Sequence, residues 1–175
     1  MLYNYGEASP NSKIGIGIQN VDHTFPGFNQ GKLPSFRRIE GFCNIAIGAL
    51  FPNHFGMDGT YEDHVSWLHS EIDTFYSTTK DDQFADWFAR LPVIKHKLIG
   101  DATRAWENDP IATDIHEVIS SYPGFYAIGI YRLARQLYLD DIPYLPRMMM
   151  EYVHSRTGID IHPGASIGEE FERRM

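Results

Sequence analysis

The sequence predicts a mainly α domain followed, near the C-terminus, by the beginning of a parallel β-helix. Apolar residues recur at three- and four-residue steps from Ser35 to Val153, which is the periodicity of amphipathic helices. The period then changes to six, where Ile161-His-Pro-Gly-Ala-Ser is followed by Ile167-Gly-Glu-Glu-Phe-Glu. Six-residue repeats are typical of parallel β-helices, in which each unit is one short strand plus a turn. Because one unit cannot bury its apolar face alone, these two units predict the opening of a larger structure.

Composition and charge favour one cytoplasmic globular domain. The chain has 175 residues, 43% of them hydrophobic, and a net charge of −8, which argues against a nucleic-acid partner. Cys43 is the single cysteine, so no intramolecular disulfide forms. The N-terminus lacks the basic start and apolar run of a signal peptide, and no stretch reaches the length of a membrane span. We expect neither a membrane nor a nucleic-acid interaction.

The N-terminal third contains an arm and two helices. Residues 1–34 are rich in Gly, Asn, Ser and Pro and predict an extended or flexible arm, and residues 35–155 are the predicted helical domain. Ser35 is a suitable N-cap for the first helix, and Thr60 with Asp63 predicts a capping box for the second. The predicted buried faces of these two helices consist of Ile39, Phe42, Cys43, Ala46, Ile47, Leu50, Val65, Leu68, Ile72 and Phe75 or Tyr76.

A third helix begins at Asp81-Asp82, and Pro92 either restarts or bends it. Its apolar stripe is predicted to include Phe84, Trp87, Phe88, Leu91, Val93, Ile94, Leu98, Ala102 and Trp106. We expect the tryptophans to belong to the core or to an interface between subunits.

Proline and glycine mark the boundaries of the later helices. Asp109-Pro110 has the form of an N-cap followed by proline at the first helical position, and that short helix ends near Tyr122-Pro-Gly124. Pro143 is predicted to start the last helix, and Gly158 to end it in a left-handed conformation. The candidates for burial in these helices are Ile128, Leu133, Ala134, Leu137, Met148, Met149, Tyr152 and Val153.

The stretch Ser155-Arg-Thr-Gly-Ile-Asp-Ile-His-Pro-Gly-Ala-Ser-Ile-Gly168 resembles the entry to the left-handed β-helix of serine O-acetyltransferases. The resemblance extends over about residues 36–171 and implies that residues 156–175 begin a hexapeptide-repeat β-helix that is incomplete here. Upstream motifs agree in order and spacing: Asp109-Pro-Ile-Ala-Thr113, Tyr122-Pro-Gly-Phe-Tyr-Ala127 and Ile130-Tyr-Arg-Leu-Ala134, with Ala49-Leu-Phe-Pro52 similar to the branch of the family with a long N-terminus.

The resemblance implies transfer of an acetyl group from acetyl-CoA to L-serine, a step of cysteine biosynthesis. Such a transfer requires a base, a group that orients the base, and donors for the developing oxyanion. In the family a β-helix histidine is the base. The resemblance makes Asp160 the residue that orients this base and Asp109 the residue that contacts the substrate serine.

The sequence departs from the family after Phe171. Family spacing places the catalytic Asp-His pair at positions 174 and 175, where this chain has Arg174 and Met175. We therefore expect a truncated form that is inactive by itself and binds no acetyl-CoA. The family's partner O-acetylserine sulfhydrylase is not expected, because the C-terminal tail is absent. We expect homo-oligomerisation through the helical domain, and the Met148–Met150 run belongs either to the core or to this contact.

Two other functions remain open, and so do structural roles for the site residues. The chain could be a non-catalytic helical oligomerisation or interaction module, or another hexapeptide-repeat acyltransferase, for example one that acts on sugars. The pattern from Asp109 to Arg132 argues against the latter. Asp109 also suits an N-cap, and Asp160 a turn. Structural roles are favoured for two imidazoles, those of His154 and His162.

No metal or phosphate site is predicted. His64 and His69 are five residues apart instead of the four that place two ligands on one helix face. His116 with Asp109 or Asp114 has too few ligands for a zinc site. Gly15-Ile-Gly17 lacks the strand and helix of a phosphate loop.

Overall fold

The computed structural model describes residues 34–76 and 82–168, and this part of the chain is mainly α, as predicted. The predicted arm of residues 1–34 lies almost entirely outside the described residues, as do Gly15-Ile-Gly17 and the tail of residues 169–175. The helices are α1 (Phe36–Leu50), α2 (Pro52–Phe55), α3 (Tyr61–Phe75), α4 (Asp82–Asn108), α5 (Ile115–Ser121), α6 (Pro123–Leu139) and α7 (Leu145–Thr157).

Helices α1 and α6 lie at the centre of the packing. Helix α1 contacts α3, α4, α6 and α7, while α6 packs against α4 and most extensively against α7. The core forms where these helices meet, and its largest fully buried side chains include Trp87, Tyr131 and Phe42. Trp87 also donates its indole N–H to the carbonyl of Leu133 at 3.1 Å, which ties α4 to α6. The indole thereby satisfies its one polar group inside an apolar core.

Residues 159–168 follow α7 as an extended segment, which we call the exit segment. Between Ile159 and Gly168 the chain forms a turn at Pro163–Gly164 and contains no β-strand. Ile159, Ile161, Ala165 and Ile167 are partly buried against the helical core. The hexad positions that the sequence marks as apolar therefore do face inward.

Two of the predicted helix ends are confirmed. Thr60 accepts from the Asp63 amide at 3.2 Å, and Asp63 accepts from the Thr60 amide at 2.8 Å, which is a capping box. Gly158 ends α7 with φ of 74°, in the left-handed region that glycine adopts without strain. Ser35 stands at the N-cap of α1 but forms no side-chain cap bond.

Helix α4 differs from the prediction in its apolar stripe. The helix continues through Pro92, so no restart occurs. Val93 is 56% exposed and Trp106 is 41% exposed, so neither belongs to the buried face that was predicted for them. The buried positions follow steps of three and four residues, and Val93 lies about 100° around the helix from its buried neighbour Ile94. This angle accounts for Val93, whereas Trp106 lies four residues after buried Ala102 and is exposed near the end of the helix.

Two predicted helix starts are wrong. Helix α5 begins at Ile115, because Asp114 is its N-cap and accepts from the Glu117 amide at 2.9 Å. Pro143 does not start α7, which begins at Leu145 after Tyr144 with φ of 65°. Both prolines lie in the turns that precede the helices, where their fixed φ is equally acceptable.

The methionine run belongs mainly to the core. Met149 is 0% exposed and Met150 is 1% exposed, so of the two roles predicted for the run, core and contact surface, these residues have the first. Helix α7 packs against both α1 and α6, and this covers the face that carries them. Met148 alone of the three is only partly buried. None of the helices in the described residues is both long and apolar enough to cross a membrane.

Candidate functional site

Asp109 lies in the turn between α4 and α5, with its carboxylate held at both oxygens. Oδ1 accepts from the Ile111 amide at 3.0 Å, and Oδ2 accepts from the Tyr122 hydroxyl at 2.5 Å. The main-chain carbonyl of Asp109 accepts from the Ala112 amide at 3.2 Å. The bond to Ile111, two residues on, is an Asx turn, which bends the chain here in place of the predicted helix start.

These bonds keep the Asp109 carboxylate ionised. The Tyr122 hydroxyl, followed by the Ile111 amide, holds the pKa of Asp109 below its ordinary value. The same bond raises the pKa of Tyr122 to about 12, because ionisation of the phenol would place two negative charges side by side. At neutral pH the turn thus presents a fixed negative charge at the protein surface.

Asp160 lies two residues after the Gly158 cap, on the exit segment. Its side chain is exposed and forms no hydrogen bond or ion pair with another residue in the described ranges. The turn role that the sequence left open for it is therefore not formed by these residues. No bond joins Asp160 to Asp109, which is anchored instead to Tyr122.

The exit segment is bound by side chains of α6. The Tyr131 hydroxyl donates to the carbonyl of Ala165 at 2.6 Å and accepts from the amide of Ile167 at 3.2 Å. Arg135 donates from Nη1 to the carbonyls of residues 163 and 164, at 3.3 and 3.1 Å. Arg132 donates from Nη2 to the carbonyl of Gly168 at 3.0 Å. One helix thus determines the path of the segment that carries Asp160.

Arg132 also forms a buried ion pair with Asp101 of α4. Its Nε lies 2.6 Å from Oδ2 of Asp101, and its Nη2 lies 2.9 Å from Oδ1. The two side chains are only 7% and 4% exposed. A two-bond pair of this kind fixes the plane of the guanidinium, which leaves Nη2 aimed at Gly168.

Sequence reasoning missed the roles of Tyr131 and Arg135 and named Arg132 only within a family pattern. The available signal was the position of Arg132 within the otherwise apolar run from Phe125 to Ala134, where a buried charge needs a partner. The partner could not be read from the sequence, because Asp101 lies 31 residues away.

The histidines have local or pairwise contacts. Nδ1 of His162 accepts from the Gly164 amide at 2.9 Å, and the ring packs edge-on against Tyr138, which agrees with the structural role favoured for it. His154 lies exposed in the last turn of α7. His116 stacks on His54, and the nearest ring nitrogens of the two are 2.9 Å apart. The partner of His116 is thus His54, and not Asp109 or Asp114 as considered from the sequence. Within residues 34–76 and 82–168, no three histidine, cysteine or acidic side chains form a metal-binding group.

A cleft of 280 Å³ lies between α4, α6 and the exit segment. Arg90 and Arg132 line it, yet both are bound to carboxylates, those of Asp140 and Asp101. Arg135 lies beside them and points to the carbonyls of the exit segment. The cleft is therefore mainly the space left beside the packed exit segment.

The fold and the site together define a class of protein: a helical domain whose helix α6 supports an extended segment with a six-residue repeat.

No protein-family profile matches the chain. Sequence relatives do exist. The plasmid serine acetyltransferase of Synechococcus elongatus is 49% identical over 81 residues, which cover 46% of this chain and 25% of the relative. The serine acetyltransferase of Synechocystis is 42% identical over 74 residues, 42% of this chain and 30% of the relative.

Solved structures agree with these relatives. Serine acetyltransferase isoform 3 of Entamoeba histolytica, in complex with cysteine, matches 79% of this chain and 52% of its own with a TM-score of 0.62 and 27% identity. Serine acetyltransferase 1 of the same organism, in complex with L-cysteine, matches with a TM-score of 0.56 and 33% identity. The chain is a homologue of the serine acetyltransferases, and its helical region corresponds to the N-terminal domain of that family. It spans about a quarter to a third of the length of the curated relatives and about half of the solved structures.

Proposed function

We propose that this chain provides the helical domain and two active-site carboxylates of a serine O-acetyltransferase. In this reaction the hydroxyl oxygen of L-serine attacks the thioester carbonyl of acetyl-CoA. The C–S bond breaks, the hydroxyl proton is passed through a base to the CoA sulfur, and O-acetyl-L-serine and CoA leave. The homology over the helical region supports the proposal, as does one observation of geometry: the ionised Asp109 carboxylate held at the surface by Tyr122.

Asp109 is the proposed contact for the ammonium group of L-serine. An amino-acid substrate carries a positive charge next to the reacting side chain, and a fixed carboxylate attracts and orients it. The Tyr122 hydroxyl and the Ile111 amide hold the carboxylate in one position, so that little ordering cost remains when substrate binds. A carboxylate oxygen has more than one lone-pair direction and can accept from an ammonium while these bonds persist.

Asp160 is the proposed residue that orients the catalytic imidazole. A carboxylate that accepts from one ring nitrogen fixes the tautomer and leaves the other nitrogen free to take the serine proton. Asp160 is exposed and uncommitted among the described residues, which suits this role. Family spacing places the imidazole at position 175, where this chain has Met175, so we assign the base to no residue of this sequence. The same holds for the acetyl-CoA groove, which we assign to no described residue.

We further propose that the helical domain joins subunits. We also propose that the protein acts in the cytoplasm, in the biosynthesis of cysteine. Exposed apolar side chains support self-association, since an amphipathic helix buries its apolar stripe against something. On α4, Ile99 and Trp106 are both 41% exposed and lie on one helix face, and Ile111 in the next turn is 87% exposed. A non-catalytic interaction module is the second candidate function, and these three residues favour it.

A chimera tests the proposed activity. Residues 1–168 are joined to the continuation of the Synechococcus plasmid serine acetyltransferase, and the thiol released from acetyl-CoA is measured with L-serine. We expect turnover that depends on L-serine. Asp109→Asn should raise KM for L-serine about tenfold or more, the effect of losing a bond to a charged group. Asp160→Asn should lower kcat by about 10²–10⁴-fold, the size of a general-base contribution.

Asp114→Asn is the matched control. Asp114 is the N-cap of α5, close to Asp109 in sequence, and asparagine caps a helix as well as aspartate does. Both KM and kcat should therefore be unchanged. A folded chimera without activity would reject the acetyltransferase function and leave the interaction module. An active chimera in which Asp109→Asn leaves KM unchanged would reject the substrate role of Asp109.

A further inference from the structure

The backbone of the exit segment obtains its hydrogen bonds from side chains and not from a neighbouring strand. The carbonyls of residues 163, 164, 165 and 168 and the amide of Ile167 all bond to Tyr131, Arg132 or Arg135. The Ala165 amide bonds to the carbonyl of His162 within the segment. Five polar backbone groups are thus satisfied by three side chains of one helix.

An end of a stacked-repeat structure needs this kind of cover. A terminal strand exposes a row of unpaired amides and carbonyls, which invites pairing with another chain. Terminal repeats therefore need a cap whose outer face is polar. Buried backbone groups also need a partner from some source, and side chains are an accepted one.

We propose that Tyr131, Arg132 and Arg135 form a backbone cap for the exit segment and act as positioning residues for Asp160. Asp160 lies three residues before the first capped carbonyl, so the cap determines where its carboxylate stands. The effect on catalysis rests on the proposed acetyltransferase function, whereas the cap itself does not.

Each of the three side chains is held in place before it meets the segment. Tyr131 is 2% exposed, with its ring in the core and only its hydroxyl directed outward. Arg132 is fixed by its two bonds to Asp101. The guanidinium of Arg135 lies 5.9 Å from the centre of the Tyr138 ring. Side chains already ordered by packing lose little entropy when they bind the segment.

Tyr131→Phe is the cleanest perturbation, because it deletes one hydroxyl and keeps the ring in the core. In the full 175-residue chain, exchange of the Ile167 amide is followed by hydrogen–deuterium exchange NMR. We expect exchange to be faster by about fivefold or more, the loss of one net hydrogen bond. Arg135→Met should accelerate exchange at residues 165 and 167 as well, and Arg135→Lys, which keeps one donor, should restore part of the protection.

Tyr126→Phe is the matched control. Tyr126 lies on the same helix, is 7% exposed, and bonds through its hydroxyl to Asn44 at 2.8 Å, away from the segment. Its loss lowers stability by a similar amount without touching the cap. We expect no change in Ile167 exchange relative to the unsubstituted chain under conditions where both variants are fully folded.

Kinetics in the chimera test the positioning role. Tyr131→Phe should lower kcat several-fold and leave KM for L-serine unchanged, because Asp109 binds the substrate and Asp160 orients the base. Tyr126→Phe should leave both constants unchanged. Unaltered Ile167 exchange in Tyr131→Phe would overturn the cap. Faster exchange with unaltered kcat would overturn the positioning role. An inactive chimera would count against the proposed function, and the exchange measurement would still decide the cap.

Discussion

Replacement of Arg132 by methionine tests the buried ion pair that joins α4 to α6. Methionine fills a similar volume but cannot donate to Asp101 or to the carbonyl of Gly168. Because the Asp101 side chain is 4% exposed, the substitution removes two hydrogen bonds from a carboxylate that water hardly reaches. Breaking one side of a buried pair costs about 3–5 kcal/mol of the free energy of unfolding.

The half-exposed pair of Arg90 with Asp140 provides the comparison. Arg90 also donates to a carboxylate distant in sequence, that of Asp140 just after α6, at 3.0 Å, but its side chain is 40% exposed. Water solvates both groups when such a pair is broken, so Arg90→Met should cost at most about 1 kcal/mol. Both substitutions delete an arginine that donates twice to one carboxylate; they differ in burial, and Arg132→Met also removes the bond to the carbonyl of Gly168.

Urea unfolding followed by far-ultraviolet circular dichroism measures the difference. With m of about 1–3 kcal/mol per molar urea, Arg132→Met should lower the midpoint by roughly 1–5 M, and Arg90→Met by about 1 M at most. Addition of Asp101→Asn to Arg132→Met should recover part of the loss, because the buried negative charge is removed. Equal costs for Arg132→Met and Arg90→Met would refute the reasoning that burial makes this pair strong.

Four further outcomes are expected. The 175-residue chain alone should release thiol from acetyl-CoA and L-serine only at background, because it has Arg174 and Met175 where family spacing would place the catalytic pair; turnover near ~1 per second would contradict this. Tyr122→Phe should raise the pKa of Asp109 towards its ordinary value in a carboxyl NMR titration, and an unchanged pKa would show that the hydroxyl bond is absent. Because folding lowers the pKa of Asp109, the ionised carboxylate stabilises the folded state above about pH 4, and this stabilisation is lost as the pH falls further. In Tyr122→Phe the loss of stability on acidification should therefore be smaller. Sedimentation at micromolar concentration should show a dimer or larger assembly, and a strict monomer would reject self-association. Thr60→Ala should lower the free energy of unfolding by about 1 kcal/mol through loss of the capping box, to be measured by the same urea titration.

The helices were readable from the sequence because their signals are local. Periodicity identified the buried faces of α1, α3 and α6, and the side chains around Phe42, Leu68 and Leu133 lie in the core as predicted. The capping box and the Gly158 end depend only on neighbours within a few residues, so short motifs were sufficient.

Competing local bonds explain the failures at helix starts. Asp109-Pro110 satisfies the pattern of a cap, but the Asp109 carboxylate bonds to the amide two residues on, which forms a turn instead of a helix. Asp114, five residues later, takes the cap because its carboxylate reaches the Glu117 amide. Both residues have the chemistry of a cap, but only Asp114 is followed three residues later by a glutamate, Glu117, which is a capping signature that the prediction did not use.

The sequence by itself determined the helical class and the family resemblance, and it supplied the two carboxylates that we propose for the site. Only the tertiary structure decided how those carboxylates are held. Tyr122 lies 13 residues from Asp109, and Tyr131 lies 34 residues from the carbonyl that it binds. Whether a polar side chain on a helix meets solvent, a buried partner or a backbone carbonyl depends on which elements pack beside it. The packing minimises the free energy of the whole core, and no short stretch of the sequence contains all the residues whose contacts contribute to that free energy.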